Sequence, residues 1–150
     1  MLRDFSPLEL FADRLRASPA ADPEIFSAVM AACTRLQTLR AAGKTNRFDQ
    51  LTRNGAWVDA AFELVALEVP AWTVRRLVYE DGEWICSLSQ QPNLPLAIDD
   101  TVDAHHPILP LAILSALVEA RERTIARLSS ETVPKIRAGT ACVTCCDNFA

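Results

Sequence analysis

The stretch Trp72-Thr-Val-Arg-Arg-Leu-Val-Tyr79, then Glu80-Asp-Gly-Glu83, then Trp84-Ile-Cys-Ser-Leu-Ser89 decides the fold. Both flanks are rich in β-branched and aromatic residues, which suit a pleated, half-buried surface. Asp81-Gly82 between them is a preferred pair for a type I′ turn, whose backbone twist matches that of the strands it joins. A tight turn fixes the register. Tyr79 is expected opposite Trp84, Val78 opposite Ile85, Leu77 opposite Cys86, Arg76 opposite Ser87 and Arg75 opposite Leu88. Strand side chains alternate, so Tyr79, Trp84, Leu77, Cys86, Leu88 and Arg75 share one face. That face is the more apolar and is expected on the helices. Trp72, Val74, Arg76, Val78, Ile85, Ser87 and Ser89 share a second, mixed face with no assigned cover. Two strands alone are marginally stable, so this hairpin needs helices, further strands or a second copy against it.

Working outward, helical spacing dominates both sides. Ser6, Pro7 and Glu9 spell a capped helix start, and Leu8, Phe11 and Leu15 share a stripe that ends at Ser18-Pro19. Asp22-Pro23-Glu24 opens a second helix of about nineteen residues. Its apolar face is Ile25, Val29, Ala32, Leu36 and Leu39, and Gly43 is its expected left-handed end. Lys44 to Asn54 is polar, with room for one short helical turn. Trp57 to Glu68 is a third helix, with Trp57, Ala61, Leu64 and Leu67 inward and Asp59, Glu63 and Glu68 on its more polar side. Beyond the hairpin, Gln90 to Pro95 reads as a loop and Ala97 to His106 as a short helix closed by Pro107. Pro110 to Leu128 is the last long helix. It is apolar nearly all round as far as Val118, which predicts a central position. Glu119 and Arg123 then stand at a favourable i, i+4 spacing.

The expected architecture is α+β, with four main helices packed against an antiparallel β-hairpin of about residues 71–89. Residues 1–128 form a single domain and 129–150 a C-terminal extension with a Cys-rich end. With 150 residues, half of them hydrophobic and 23% charged, the chain has the composition of one soluble globular domain. No apolar signal core is visible at the N-terminus and no apolar run reaches bilayer length, so a membrane role is not expected. Five cysteines without a signal peptide fit a reducing cytoplasm.

Net charge of −4 disfavours nucleic acid, which calls for a basic surface. The charge is unevenly spread. Met30 to Gly55 holds five bases and one acid, whereas Asp59 to Asp103 holds nine acids and two bases. Such a dipolar chain suits association with a protein partner or with itself, although solvated helix faces produce the same pattern. Trp72, Arg75, Arg76 and Trp84 belong to the residue types that anchor protein interfaces. The competing reading packs the aromatics inward with arginine stems across them.

Other motifs point to chemistry. Cys142-x-x-Cys145-Cys146 has the spacing of half a zinc site, which His105 or His106 could complete, or it is an exposed tail of free thiols. Cys33 and Cys86 fall on apolar faces as small core residues. Asp99-Asp100-x-x-Asp103 matches the magnesium-binding pattern of prenyl-diphosphate enzymes, but this chain lacks their length and second acidic motif. Asp103 paired with His105 or His106 could do acid–base work, and an enzyme acting through Asp99, Asp103 and His106 would require a pocket beside that turn. Gly43-Lys44-Thr45 mimics the end of a phosphate-binding loop, yet Thr38 stands where the first glycine is required, and the context is helical.

The run Val65-Ala-Leu-Glu-Val-Pro-Ala-Trp-Thr-Val-Arg-Arg-Leu-Val-Tyr-Glu-Asp-Gly-Glu-Trp84 to Ser89, with Asp103-Ala-His-His-Pro107 and the following helix, resembles small hypothetical proteins of alphaproteobacteria. The resemblance covers about residues 55–128. It implies a bacterial cytoplasmic protein and carries no functional residues. From the dipolar charge, the mixed second hairpin face and the absence of a convergent catalytic set, the expected function is a small non-catalytic interaction or self-associating module with no cofactor. The alternative is a metal- or thiol-dependent protein using the tail cysteines.

Overall fold

The computed structural model describes residues 7–131; Ser6 and the tail cysteines lie outside the described residues. Among the described residues, six helices and a three-stranded antiparallel sheet succeed one another. They are α1 (Pro7–Ala17), α2 (Pro23–Ala32), α3 (Thr34–Ala41), α4 (Asn46–Arg53), α5 (Trp57–Glu68), β1 (Thr73–Glu80), β2 (Glu83–Ser89), β3 (Thr101–His106) and α6 (Leu109–Glu131). The sheet order is β1-β2-β3, with helices on one face. No helix among the described residues is long and apolar enough to cross a membrane.

The fold class is α+β as expected, with two more helices and one more strand. The nineteen-residue helix is broken at Cys33, whose ψ of 100° takes the backbone out of the helical region. The cause is tertiary. Glu68, at the end of α5, accepts a hydrogen bond from the Leu36 amide at 2.9 Å and so caps α3 from thirty-two residues away. Arg35 Nε reciprocates by donating to the Leu67 carbonyl at 2.9 Å. Glu68, expected on the polar side of its helix, is 8% exposed and stands 3.3 Å from Arg121 Nε on α6. A carboxylate placed there meets the amide-rich start of α3, where negative charge is stabilised. The polar segment after Gly43 contains a full helix, α4, because Phe48 is completely buried and Leu51 packs beside it.

Helix α6 occupies the centre. Leu111, Ala112, Ile113, Leu114, Ala116, Leu117, Val118 and Ala120 are all buried, against α1, α5, β2 and β3. This is the position its all-round apolar sequence predicts. Asp22 caps α2 as expected, accepting from the Ile25 amide at 2.9 Å.

The hairpin turn has left-handed backbone at Asp81 (φ 53°) and Gly82 (φ 85°), as a type I′ turn requires. The expected register holds from Tyr79↔Trp84 to Arg76↔Ser87 and then slips: Val74, not Arg75, faces Leu88. Arg75 is the extra residue of a β-bulge. One inserted residue exchanges the two faces of the strand beyond it. Trp72 therefore turns toward the helices instead of away. It is 2% exposed, and its Nε1 donates to Thr124 Oγ1 of α6 at 3.1 Å. On the same face Cys86 and Leu88 are fully buried, while Tyr79 at the tip remains 60% exposed with its ring 5.1 Å from that of Trp84.

Residues 97–106, read as a helix, instead supply β3. It pairs with β2 through Trp84↔His106, Cys86↔Ala104 and Leu88↔Val102. Val102, Ala104 and His106 are buried while Asp103 and His105 are exposed, a strict period of two.

Candidate functional site

The face of the sheet turned away from the helices carries the most chemistry among the described residues. The register sets two cross-strand rows there, Arg76–Ser87–Asp103 and Val78–Ile85–His105. Adjacent strands lie about 4.8 Å apart, so Arg76 and Asp103 flank Ser87 at opposite edges, about 10 Å from each other. Arg75, Arg76, Ile85, Ser87, Leu96, Asp103 and His105 line a shallow pocket of ≈340 Å³ over these rows.

One end of this face is closed by the segment 90–100, which is pinned on two sides. Asp99 turns into the sheet and accepts from Ser89 Oγ at 2.6 Å and from Arg75 Nη1. Asp100 turns the other way and bridges Arg123 (2.5 Å) and Arg127 of α6. Arg127 also donates to Gln90. The bulge is what aims Arg75 at Asp99. Burial of the Asp99 carboxylate acts to raise its pKa, but the hydrogen bonds from Ser89 and Arg75, the Arg75 charge and the Gln91 amide outweigh it and hold the group below its ordinary value. Leu96 and Ile98, 67% and 68% exposed, stand out from the same segment, and Leu96 forms one wall of the pocket.

The pocket brings a serine, an aspartate and a histidine together, but not in a nucleophile–base order. Ser87 is 4% exposed and its Oγ donates to Asp103 Oδ1. Among the described residues no hydrogen bond joins His105 to either. In a hydrolytic triad the hydroxyl proton goes to the imidazole and the carboxylate holds the far side of that ring. Here the hydroxyl is spent on the carboxylate. The arrangement suits binding: Arg76 is an exposed cation with no ion pair among the described residues, set beside the apolar Ile85 and Leu96.

The residues singled out in the sequence are separated by the fold. Arg75 and Arg76 line the pocket. Trp72 and Trp84 do not, because the bulge and the strand alternation turn both toward the helices, and Trp72 is an anchor of the core. His105 and His106 project from opposite faces of β3. His106 is 3% exposed and its Nδ1 accepts from the Ile108 amide at 2.9 Å, so only His105 faces the pocket. Cys142, Cys145 and Cys146 lie outside the described residues, and among the described residues no three His, Cys, Asp or Glu side chains gather to hold a metal ion. The Asp-Asp-x-x-Asp carboxylates diverge: Asp99 into the sheet, Asp100 to α6, Asp103 to the open face. The acid–base set of Asp99, Asp103 and His106 is likewise dispersed. Burial pushes the thiols of Cys33 and Cys86 up to about 12, helped by the charges of Glu68 and Asp103 respectively and opposed at Cys33 by Arg121, so both remain protonated near neutrality.

Sequence reasoning missed Ser87, Asp103 and His105 as one cluster. The alternation Thr101-Val-Asp-Ala-His-His106 is the signal that finds it, because it places Asp103 and His105 on one side of a strand. No protein-family model, curated protein or solved structure matches the chain.

Proposed function

We propose that this chain is a non-catalytic protein-binding module whose open sheet face receives an acidic, partly apolar segment of a partner protein. Arg76 carries the reading: an exposed guanidinium without an ion pair among the described residues, beside an apolar floor. An acidic side chain set against Arg76 is matched in charge, and an aliphatic neighbour on the same segment has Ile85 and Leu96 to lie against. Exposed arginine beside apolar side chains is the composition of an interface anchor. The Asp99–Arg75–Ser89 node and the Asp100 clamp support the reading by holding Leu96 in place, which lowers the ordering cost of binding. The Ser87–Asp103 bond favours it over a hydrolase.

The test is selection of peptides from a displayed random library on the intact protein, against an Arg76→Glu variant. The expected result is enrichment of sequences pairing Asp or Glu with Leu, Ile or Val, lost at least tenfold on Arg76→Glu and kept on Arg14→Glu, a control at an exposed arginine of α1. Peptides that bind both arginine variants equally well, or no enrichment at all, overturn the proposal.

A further inference from the structure

The two outer strands of the sheet are built differently. β1 is interrupted by the bulge at Arg75, whereas β3 pairs with β2 without a slip from Ser89↔Thr101 to Trp84↔His106. Strand edges are commonly blunted by proline, lysine or a bulge, and Thr101–His106 contains none of these. Among the described residues no strand pairs with the outer side of β3. Arg123 Nη1 donates to the Thr101 carbonyl at 2.7 Å, and Pro107, which has no N–H, closes the other end. The run left for pairing is residues 102–106, centred on Ala104.

That run is complementary to itself. Two copies paired antiparallel about a two-fold axis at Ala104 set Asp103 of each against His105 of the other, and Val102 against His106. Moving the axis by one residue sets Asp103 against Asp103 or His105 against His105. Moving it by half a residue sets the open face of one copy against the helical face of the other. Asp103 and His105 are exposed, and neither is in an ion pair among the described residues. The Ser87 hydroxyl bonds one oxygen of Asp103, which leaves the other for a partner. Histidine in either protonation state has an N–H to offer a carboxylate. The other acids along this side are accounted for. Asp100 is held by Arg123 and Arg127, and Glu119 of α6 lies within range of Arg16 and Arg123 as well as Asp103. Glu83 is only a diagonal neighbour of His105, about 7–8 Å away, whereas a directly opposite Asp103 comes within about 5 Å.

We infer that two copies of this chain join β3 to β3 in antiparallel register about Ala104, making one continuous six-stranded sheet. The occupant follows from the register. To an unrelated strand Asp103 is an unmatched charge on the edge, whereas a second copy answers it twice, once on each side of the axis. Ala104 faces Ala104 at the axis, so no bulky side chain holds the backbones apart. Five residue pairs are few, and the complex is weaker than one with a standard interface of about 1,600 Å². Arg76 lies at the far edge of the sheet and takes no part, so the inference stands apart from the function proposed above.

Hydrogen–deuterium exchange of the full chain, read by mass spectrometry at about 10 μM and about 1 mM, tests the contact directly, since a dissociation constant near 1 mM is the weakest such pairing would show. Peptides spanning residues 102–106 are expected to exchange at least twofold more slowly at the higher concentration, and those spanning β1 at an unchanged rate. Sedimentation velocity over the same range is expected to show a dimer. Asp103→Lys sets a second donor against His105, and His105→Asp sets two carboxylates against each other. Each is expected to weaken the dimer at least fivefold, with unchanged far-ultraviolet circular dichroism as the check on folding. Mixed together, the two variants are expected to associate again: the new lysine of one faces the new aspartate of the other, and native His105 and Asp103 form the second pair. The exchange measurement on the parent chain needs no variant to fold. A parent chain that stays monomeric at about 1 mM overturns the inference. So does a dimer without added protection at 102–106, a dimer that both variants keep, or a mixture that behaves as the sum of its parts.

Discussion

Removing the Glu68 carboxylate tests why the helical layer has its shape. Glu68 holds three things together: the Leu36 amide at the start of α3, Arg121 on α6 and its own helix α5. In Glu68→Ala the lost cap costs about 1 kcal/mol. Arg121 is then left without its carboxylate at 14% side-chain exposure, keeping its bond to Thr34 Oγ1. Breaking a fully buried pair costs roughly 3–5 kcal/mol, and residual solvent contact together with Thr34 reduces this to about 2. The expected destabilisation is therefore about 3 kcal/mol, or a fall in Tm of about 6–12 °C for a domain of this size. Glu68→Gln keeps an oxygen for the Leu36 amide and loses only the charge, so about 1–2 kcal/mol is expected. Urea denaturation followed by circular dichroism measures both, with an unchanged slope showing that the unfolding reaction is the same. A double variant, Glu68→Gln with Arg121→Met, removes the unpaired cation and is expected to be more stable than the sum of its singles by about 1 kcal/mol. Glu68→Ala within about 0.5 kcal/mol of the parent would refute the remote cap as the reason α2 and α3 are two helices.

Three further outcomes are expected. Trp72→Phe keeps most of the buried ring and loses the bond to Thr124, for about 1 kcal/mol, whereas Trp72→Ala costs about 3–5 kcal/mol, both read from the urea midpoint. Asp99 and Asp49 have folded-state pKa values below their ordinary ones; at Asp49 burial acts upward but Arg40, Thr45 and the Arg53 charge prevail. Their stabilisation is therefore complete above the unfolded value of about 3.9 and is lost as pH falls through the folded values, so the stability gap between the parent and Asp99→Asn is expected to close below about pH 4 in urea titrations at stepped pH. In native protein at pH 8, Cys33 and Cys86 are expected to resist iodoacetamide and to react only after urea is added, as peptide mapping by mass spectrometry will read; prompt alkylation of either contradicts its burial.

What the sequence disclosed depended on how local the cause was. The turn at Asp81-Gly82, the cap at Asp22 and the all-round burial of α6 each follow from residues within a few positions, and each is seen. The break at Cys33 does not, because its cause is Glu68, and nothing in Met30 to Leu36 announces a helix end. The bulge is similar. The turn dictates pairing as far as Arg76↔Ser87, but the demand that Trp72 reach Thr124 comes from α6. β3 was legible in principle. Asp, Ala and His are poor strand formers, and two aspartates just before the segment imitate a helix start, so local propensity works against the period-two alternation. The candidate site was half visible: Arg75 and Arg76 from composition, Asp103 and His105 only once β3 is a strand.

The bulge at Arg75 also governs what β1 offers along its outer edge. Among the described residues β1 is the last strand on its side of the sheet, and backbone groups along such an edge are a template on which another strand could grow. The inserted residue divides that template into Thr73–Val74 and Arg76–Glu80, out of step with each other by one position. A strand arriving in register with one run is out of register with the other, and a two-residue run is too short to nucleate pairing alone. The residue that directs a guanidinium into the loop thus also works as a stop on sheet extension along this edge.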